Sequence, residues 1–287
     1  MMINGDTIKE IMYRARETLK NFGDETYDID AKVLLKHALS CNDMYLVIHS
    51  NDVLSVEKKQ EYFSYIERRK SGEPVAYITG IKEFMGFDFK VTKDVLIPRP
   101  DTETLVNEVL RCTNDRRSLR ILDLCTGSGA IGITLAKMLS FCEVTMVDVS
   151  MDALEIARHN AIDLMVDHRC EFMCLDVLSD LHYIDEQYDI VVSNPPYIRS
   201  DVIQTLMNDV KDYEPLLALD GGDDGLIFYI KIVSEAENIL KKDGLVFFEI
   251  GYDQADDVTD LMKSKFRDIS VVNDFGMNPR VIRGIRD

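Results

Sequence analysis

Asp123-Leu124-Cys125-Thr126-Gly127-Ser128-Gly129-Ala130-Ile131-Gly132 joins an apolar run, Ile121-Leu122-Asp123-Leu124, to a helical pattern from Ile131 to Leu139. Strand, glycine-rich turn and helix in that order make the first half of a βαβ unit. Glycines at such a turn let a ligand approach the backbone, and the helix N-terminus behind it favours negative charge. Gly127, Gly129 and Gly132 also fit GxGxxG spacing. That spacing alone is a weak signal, because turns without any ligand share it.

The same alternation continues downstream. Val144–Val147 reads as a strand, Ala153–Leu164 as a helix, and Glu171–Leu175 and Tyr188–Val192 as strands. Ile227–Leu240 follows as a helix, Leu245–Ile250 as a strand, Val258–Lys265 as a helix, and Ile269–Val272 and Val281–Ile285 as closing strands. This order implies an α/β domain with a mainly parallel sheet and helices on both faces. The connection from Ile198 to Asp224 is long and follows the fourth strand, which marks it as a candidate active-site loop.

Upstream, the first 70 or so residues read as helices. Ile8, Ile11, Met12, Ala15, Leu19 and Phe22 fall at helical spacing, with Asp6 or Thr7 as N-cap and Gly23 just past the end. Asp28 or Asp30 is expected to cap a second helix carrying Leu34, Leu35, Ala38 and Leu39. A short third segment spans Met44 to His49, and Ser55 opens a fourth that carries Phe63 and Ile66 and ends at Arg68-Arg69-Lys70. Ser71-Gly72-Glu73-Pro74 breaks the pattern. Ala76-Tyr77-Ile78 and Phe87–Val91 then look like the two strands of a hairpin linker, and Pro98 and Pro100 precede a helix near Asp101 with Leu105, Val106 and Val109. The expected organisation is a helical domain over 1–72, a β-hairpin linker over 73–98 and an α/β domain over 99–287.

Composition agrees with two ordered domains. The chain has 287 residues, 46% hydrophobic and 29% charged, with a net charge of −18. Residues 1–100 are nearly neutral at −1, whereas 101–200 carry −9 and 201–287 carry −8. So acidic a chain is not expected to coat DNA or an anionic membrane. No apolar run approaches the roughly 18 residues of a spanning helix, and Met1 to Glu17 holds no signal-peptide core. Six cysteines without a CxxC pair suggest reduced thiols and a cytoplasmic setting. His168, Cys170 and Cys174 lack zinc-ligand spacing, so no metal is expected.

Ligands of open α/β sheets bind at the carboxyl ends of the strands. Asp148 ends the second strand, 19 residues after Gly129, where a carboxylate can take both hydroxyls of a ribose. Asp148, Ser150 or Asp152 could equally cap the next helix. Asp176, past the third strand, can accept from an adenine amino group or serve as a turn residue. These positions fit either NAD or S-adenosylmethionine.

The fourth strand decides between the two. It ends Ser193-Asn194-Pro195-Pro196-Tyr197. Two prolines stop strand pairing and fix a rigid turn. Such a turn offers the Asn194 side-chain carbonyl and the Pro195 backbone carbonyl to one NH₂ group, with Tyr197 to pack on the flat group bearing it. An amide nitrogen is a poor nucleophile because its lone pair is delocalised. Accepting both of its N–H bonds orients it and favours the charge that develops on methylation. No strong base is required, and His37, His49, His159, His168 and His182 all lie away from these strand ends.

These residues bear a family resemblance. The chain resembles the HemK/PrmC family of protein-(glutamine-N5) methyltransferases that modify peptide chain release factors. The likeness rests on Arg68-Arg69 with Gly72-Glu73-Pro74, on Leu96-Ile97-Pro98-Arg99-Pro100-Asp101-Thr102-Glu103, and on the Asp123–Ile131 loop. It continues through Ser193–Ile198, Glu214-Pro215 and Gly221-Gly222-Asp223-Asp224-Gly225. The resemblance implies a Rossmann-like, S-adenosylmethionine-dependent domain behind a helical domain that helps hold the release factor. It also implies a glutamine substrate in a Gly-Gly-Gln loop. By position, the loop opened by Asp123 (Cys125, Thr126, Gly127, Ser128 and Gly129) would line the methionine and ribose part of the cofactor. Asp148 would hold the ribose, and Asp176 and Val177 would border the adenine. Asn194, Pro195, Pro196 and Tyr197 would bind the glutamine amide. Cys125 stands where relatives often have glycine, and the chain has no Trp to flank the adenine.

Three other readings compete. An adenine-N6 DNA methyltransferase would need a basic track near the turn, but 194–224 holds only Arg199 and Lys211 against seven acidic residues. A non-catalytic ligand sensor would not need the intact turn, and an NAD dehydrogenase would lack a proton donor.

Overall fold

The computed structural model describes residues 6–21, 23, 25–113 and 118–287. The chain divides into two compact units, Met1–Gly80 and Ile81–Asp287.

The first unit holds α1 (Ile8–Asn21), α2 (Tyr27–Leu39), α3 (Asp43–Ile48), α4 (Val56–Lys70) and α5 (Val75–Thr79). Thr7 opens α1 with a capping box: its hydroxyl accepts from Glu10 N at 3.3 Å, and the Glu10 carboxylate accepts from Thr7 N at 2.8 Å. The periodic residues Ile8, Ile11, Ala15 and Leu19 are fully buried against Leu34, Leu35, Tyr62 and Ile66. Each buried Ile or Leu of this set contributes roughly 1.5–3 kcal/mol. Phe22, the last member of that pattern, lies outside the described residues.

Two local expectations change here. Neither Asp28 nor Asp30 caps α2, because Thr26 takes that position. Asp30 is instead buried, accepting from Thr26 Oγ1 at 2.9 Å and pairing with Arg69 Nε at 2.7 Å. The Arg68-Arg69-Lys70 run is therefore not a bare cationic end: Arg68 grips Glu73 and Lys70 pairs with Glu67. Second, Ala76-Tyr77-Ile78 is helical. The Pro74 carbonyl accepts from both Tyr77 N and Ile78 N, and Gly80 at φ +73° ends the turn. A three-residue apolar stretch does not itself distinguish strand from helix. Packing of buried Ile78 against the helical core settles it.

In the second unit the hairpin pairs β1 (Ile81–Phe84) with β2 (Phe87–Lys90), so its first strand lies five residues later than expected. Met85 and Gly86 both take positive φ, as a two-residue hairpin turn requires. There follow α6 (Glu103–Thr113), β3 (Leu119–Leu124), α7 (Ala130–Met138), β4 (Cys142–Asp148), α8 (Met151–Asp163), β5 (Cys170–Cys174) and β6 (Tyr188–Ser193). The chain closes with α9 (Asn208–Lys211), α10 (Ile227–Ser234), α11 (Ala236–Ile239), β7 (Leu240–Glu249), α12 (Ala255–Met262), β8 (Phe266–Asn273) and β9 (Pro279–Arg286). The single helix expected over Ile227–Leu240 breaks at Glu235, and Leu240 already pairs with Tyr188 as the start of β7.

The seven-stranded sheet runs β5-β4-β3-β6-β7-β9-β8, parallel from β5 to β7 and antiparallel beyond. Alternate residues serve opposite faces. Ile121, Val144, Ile190 and Phe247 pack with α6, α7 and α8, while Leu122, Val147, Val191 and Phe248 pack with α10, α11 and α12. The strands wind outward in opposite directions from the β3–β6 pair, so the loops leaving these two strands diverge and open a crevice at their carboxyl ends. No helix among the described residues is long and apolar enough to cross a membrane.

Candidate active site

A cleft of about 320 Å³ lies at that crevice. Cys125 and Gly127 after β3, Asp148 at the end of β4, Asp176 and Val177 after β5, and Asn194 and Pro196 after β6 all line it. Four strand ends thus meet, as the sequence order required. Asp123, Thr126, Ser128, Gly129, Pro195 and Tyr197 lie outside the lining.

Asp123 acts from behind the loop. Its Oδ2 accepts from Thr126 Oγ1 at 2.6 Å and from Gly132 N at 3.0 Å, tying the turn to the first residues of α7. A side chain at Gly132 would stand 2.8 Å from that oxygen, so this glycine serves strand–helix packing. Burial pushes the Asp123 carboxyl up to about 7, and its Oδ1 has no hydrogen-bond partner among the described residues. Cys125 takes φ +61°, the left-handed region that favours glycine, and burial pushes its thiol well up. Gly127 takes φ +56° with open space where a Cβ would lie, leaving room for a ligand against the backbone.

Asp148 does not cap α8. Ser150 does, accepting from Ala153 N at 3.1 Å. The Asp148 carboxylate instead accepts from Gly127 N at 2.8 Å and Ser150 N at 3.0 Å. A carboxylate has about four lone-pair sites, so these bonds orient it and leave capacity for a ligand. Desolvation raises its pKa. Asp176 Oδ1 accepts from Leu178 N at 2.8 Å, so this aspartate shapes a turn as well as facing the cleft. Buried Val177 adds an apolar surface beside it.

The turn after β6 is held on several sides. Ser193 Oγ donates to Leu124 O at 2.7 Å, fixing β6 against β3. Ile198 N donates to Leu219 O at 3.0 Å, and Gly221 N to Ile198 O at 2.8 Å. Gln254 Nε2 donates to both Tyr197 O and Gly225 O, at 3.1 and 3.2 Å. A Cβ at Gly221 would lie 2.8 Å from Pro196 O, so the glycines of 221–225 allow direct backbone packing on the turn. Arg99 Nη2 reaches both Glu214 oxygens at 2.7 Å, joining the Ile97–Asp101 run to the long loop. Burial pushes the Glu214 carboxyl up to about 7, with Arg99 opposing. Burial likewise pushes the Tyr197 phenol up to about 12, so it stays neutral and offers an aromatic surface rather than an acid.

Sequence reasoning missed four residues here. Gln254 gave no signal. Phe228 on α10 lines the cleft and supplies an aromatic in a chain without Trp, but its helix read only as core. Thr102 receives Asn194 Nδ2 at 3.4 Å. Glu249 was legible as a carboxylate inside the apolar run Leu245–Ile250, which demands a buried partner or a purpose.

The fold and the cleft define a Rossmann-like, S-adenosylmethionine-dependent methyltransferase. A methyltransferase from Pyrococcus furiosus shares the fold, with a TM-score of 0.52 at 17% identity over 78% of this chain and 96% of that one. The family described as PrmC N-terminal domain matches residues 10–80, and the family described as Methyltransferase small domain matches residues 101–212. The release factor glutamine methyltransferase of Clostridium acetobutylicum is 42% identical over 97% of this chain and 98% of its own. That of Clostridium botulinum is 38% identical over 96% and 98%. The chain belongs to the release factor glutamine methyltransferase family.

Proposed function

We propose that this enzyme methylates the side-chain amide nitrogen of the glutamine in the Gly-Gly-Gln loop of peptide chain release factors. The observation behind this reading is the buttressed Asn194–Tyr197 turn, whose Asn194 and Pro196 line one cleft with the Asp148 carboxylate.

The cleft fits the methyl donor. Gly127 leaves an open cradle, Asp148 keeps free lone pairs, and Asp176, Val177 and Phe228 supply a polar and apolar wall for a purine. When bound, S-adenosylmethionine supplies an electrophilic methyl group. Asn194 Oδ1 and the Pro195 carbonyl accept the two N–H bonds of the substrate amide. These acceptors align its nitrogen and stabilise the positive charge that develops there. Tyr197 packs on the amide plane. Product deprotonation needs no dedicated base, because an N-alkylated amide cation is strongly acidic.

The helical residues 10–80, which match the PrmC N-terminal domain, are the part proposed to engage the release factor. In this organisation the first compact unit, Met1–Gly80 rather than 1–72, is the recognition domain, the β1–β2 hairpin the linker and the rest of the chain the catalytic domain. Acidic residues crowd 198–224, which disfavours DNA as the substrate. Incubation with S-adenosylmethionine and a release factor is expected to add one methyl group to the Gly-Gly-Gln peptide by mass spectrometry. A parallel DNA arm is expected to stay unmodified. Cofactor binding without added mass on the peptide refutes the reading.

A further inference from the structure

Glu249 ends β7 and is 1% exposed. Its neighbour Phe248 pairs with Ser193, so the carboxyl lies beside the first residue of the substrate turn. Glu249 Oε2 has no hydrogen-bond partner among the described residues. A buried carboxyl with one oxygen unpartnered is costly, so its retention calls for a reason.

Thr102 and Asn194 lie within hydrogen-bonding reach of it, and Arg280, Asp101, Tyr197 and Tyr229 interact with it electrostatically. Arg280 on β9 is held by Asp274 at 3.2 Å, by Asp101 at 3.3 Å and by Ile250 O at 3.2 Å, so its charge is shared and fixed. Asn194 Nδ2 donates to Thr102 Oγ1 at 3.4 Å.

An ionised carboxylate only accepts hydrogen bonds, whereas a primary amide has one accepting and one donating end. Placed beside Asn194, the anion selects the amide orientation with NH₂ toward Glu249. Oδ1 is then the end left for the cleft. We infer that Glu249 is a positioning residue for Asn194, fixing which end of that amide meets the substrate NH₂. This rests on the proposed role of Asn194.

Burial pushes the Glu249 carboxyl up to about 7, with Thr102, Arg280 and Asn194 opposing and Asp101 adding to the rise. Once protonated, Glu249 gains a donor and no longer excludes the reversed amide. Turnover therefore falls as pH drops below about 7, while cofactor affinity stays level, because Glu249 lies outside the cleft lining.

The test is a double-mutant cycle on the full chain with S-adenosylmethionine and a Gly-Gly-Gln release factor. Glu249→Gln is expected to lower kcat on the order of 10-fold or more, with the cofactor KM within about twofold. It should also abolish the acidic limb of the kcat profile. In an Asn194→Ala background, Glu249→Gln should change kcat by less than about twofold. Unchanged kcat in Glu249→Gln, or an equal loss in both backgrounds, overturns the inference. If Glu249→Gln does not fold, the kcat profiles of wild type and Asn194→Ala decide: the limb is expected only in wild type, and its persistence in Asn194→Ala overturns the inference. Full turnover in Asn194→Ala would overturn the role of Asn194 itself.

Discussion

Gly225 packs directly on Tyr197: a Cβ at residue 225 would overlap the Tyr197 carbonyl oxygen, and Gly225 takes φ +74°. The Asn194–Tyr197 turn is thus held from behind by a loop about 30 residues further along the chain. Gly225→Ala strains its own backbone, at roughly 1–2 kcal/mol, and also forces the Tyr197 carbonyl and residue 225 apart. Displacement by about 1 Å can cost on the order of 10²-fold in turnover. The variant should fold and bind S-adenosylmethionine yet lose kcat, as steady-state assays with calorimetry would show.

Asn194→Ala should retain cofactor affinity and lose turnover on the order of 10²-fold, the scale of removing one preorganised polar contact. Methyl transfer at the wild-type rate would remove Asn194 from the chemistry.

Asp148→Ala should bind S-adenosylmethionine some ten- to a hundredfold more weakly, in line with about 1.5–3 kcal/mol for a hydrogen bond to a charged group. Helix α8 should persist because Ser150 supplies its cap. Calorimetry reads the first expectation and circular dichroism the second.

Arg99→Ala leaves Glu214 buried without its cation. The expected response is a loosened 198–224 loop, seen as faster hydrogen exchange there than in β3 or β4. Combining it with Glu214→Gln should restore part of the protection, because the uncompensated charge is then gone.

The pH dependence of stability has a defined sign. Asp123 titrates near 3.8 unfolded and about 7 folded. Between those values the folded chain keeps a proton that the unfolded chain has lost, so stability falls as pH rises through the window. Glu214 and Glu249 act in the same direction from 4.5 to about 7. The thermal midpoint should drop between about pH 4 and 7 and level off above, less steeply in Asp123→Asn.

Much of the fold was legible because βα alternation is written in local periodicity. Ile121 and Leu122 face opposite sides of the sheet, so both positions are apolar and the strand reads as a continuous run. Legibility failed at Ala76–Ile78, where three apolar residues fit either period, and at Leu240, where a helix end and a strand start share one apolar stretch. The same limits hold for the site. Asp148 and Asn194 were visible because each follows a recognisable strand. Gln254 and Thr102 were not, because each acts through a partner at least 57 residues away in the chain.

By itself, the sequence determined the main βα alternation of the second unit, the acidic character of residues 101–287 and the side-chain types present in the Asn194–Tyr197 turn. Those follow from side-chain types and local spacing. Tertiary structure alone decided that the Asp148 carboxylate accepts from Gly127 N, and that Arg69 is neutralised by Asp30. It also placed the buried Glu249 carboxyl beside Asn194, residues far apart in the chain. The reason is physical: a carboxylate's role depends on which donors reach it and how much water remains, and both are set only when distant segments pack together.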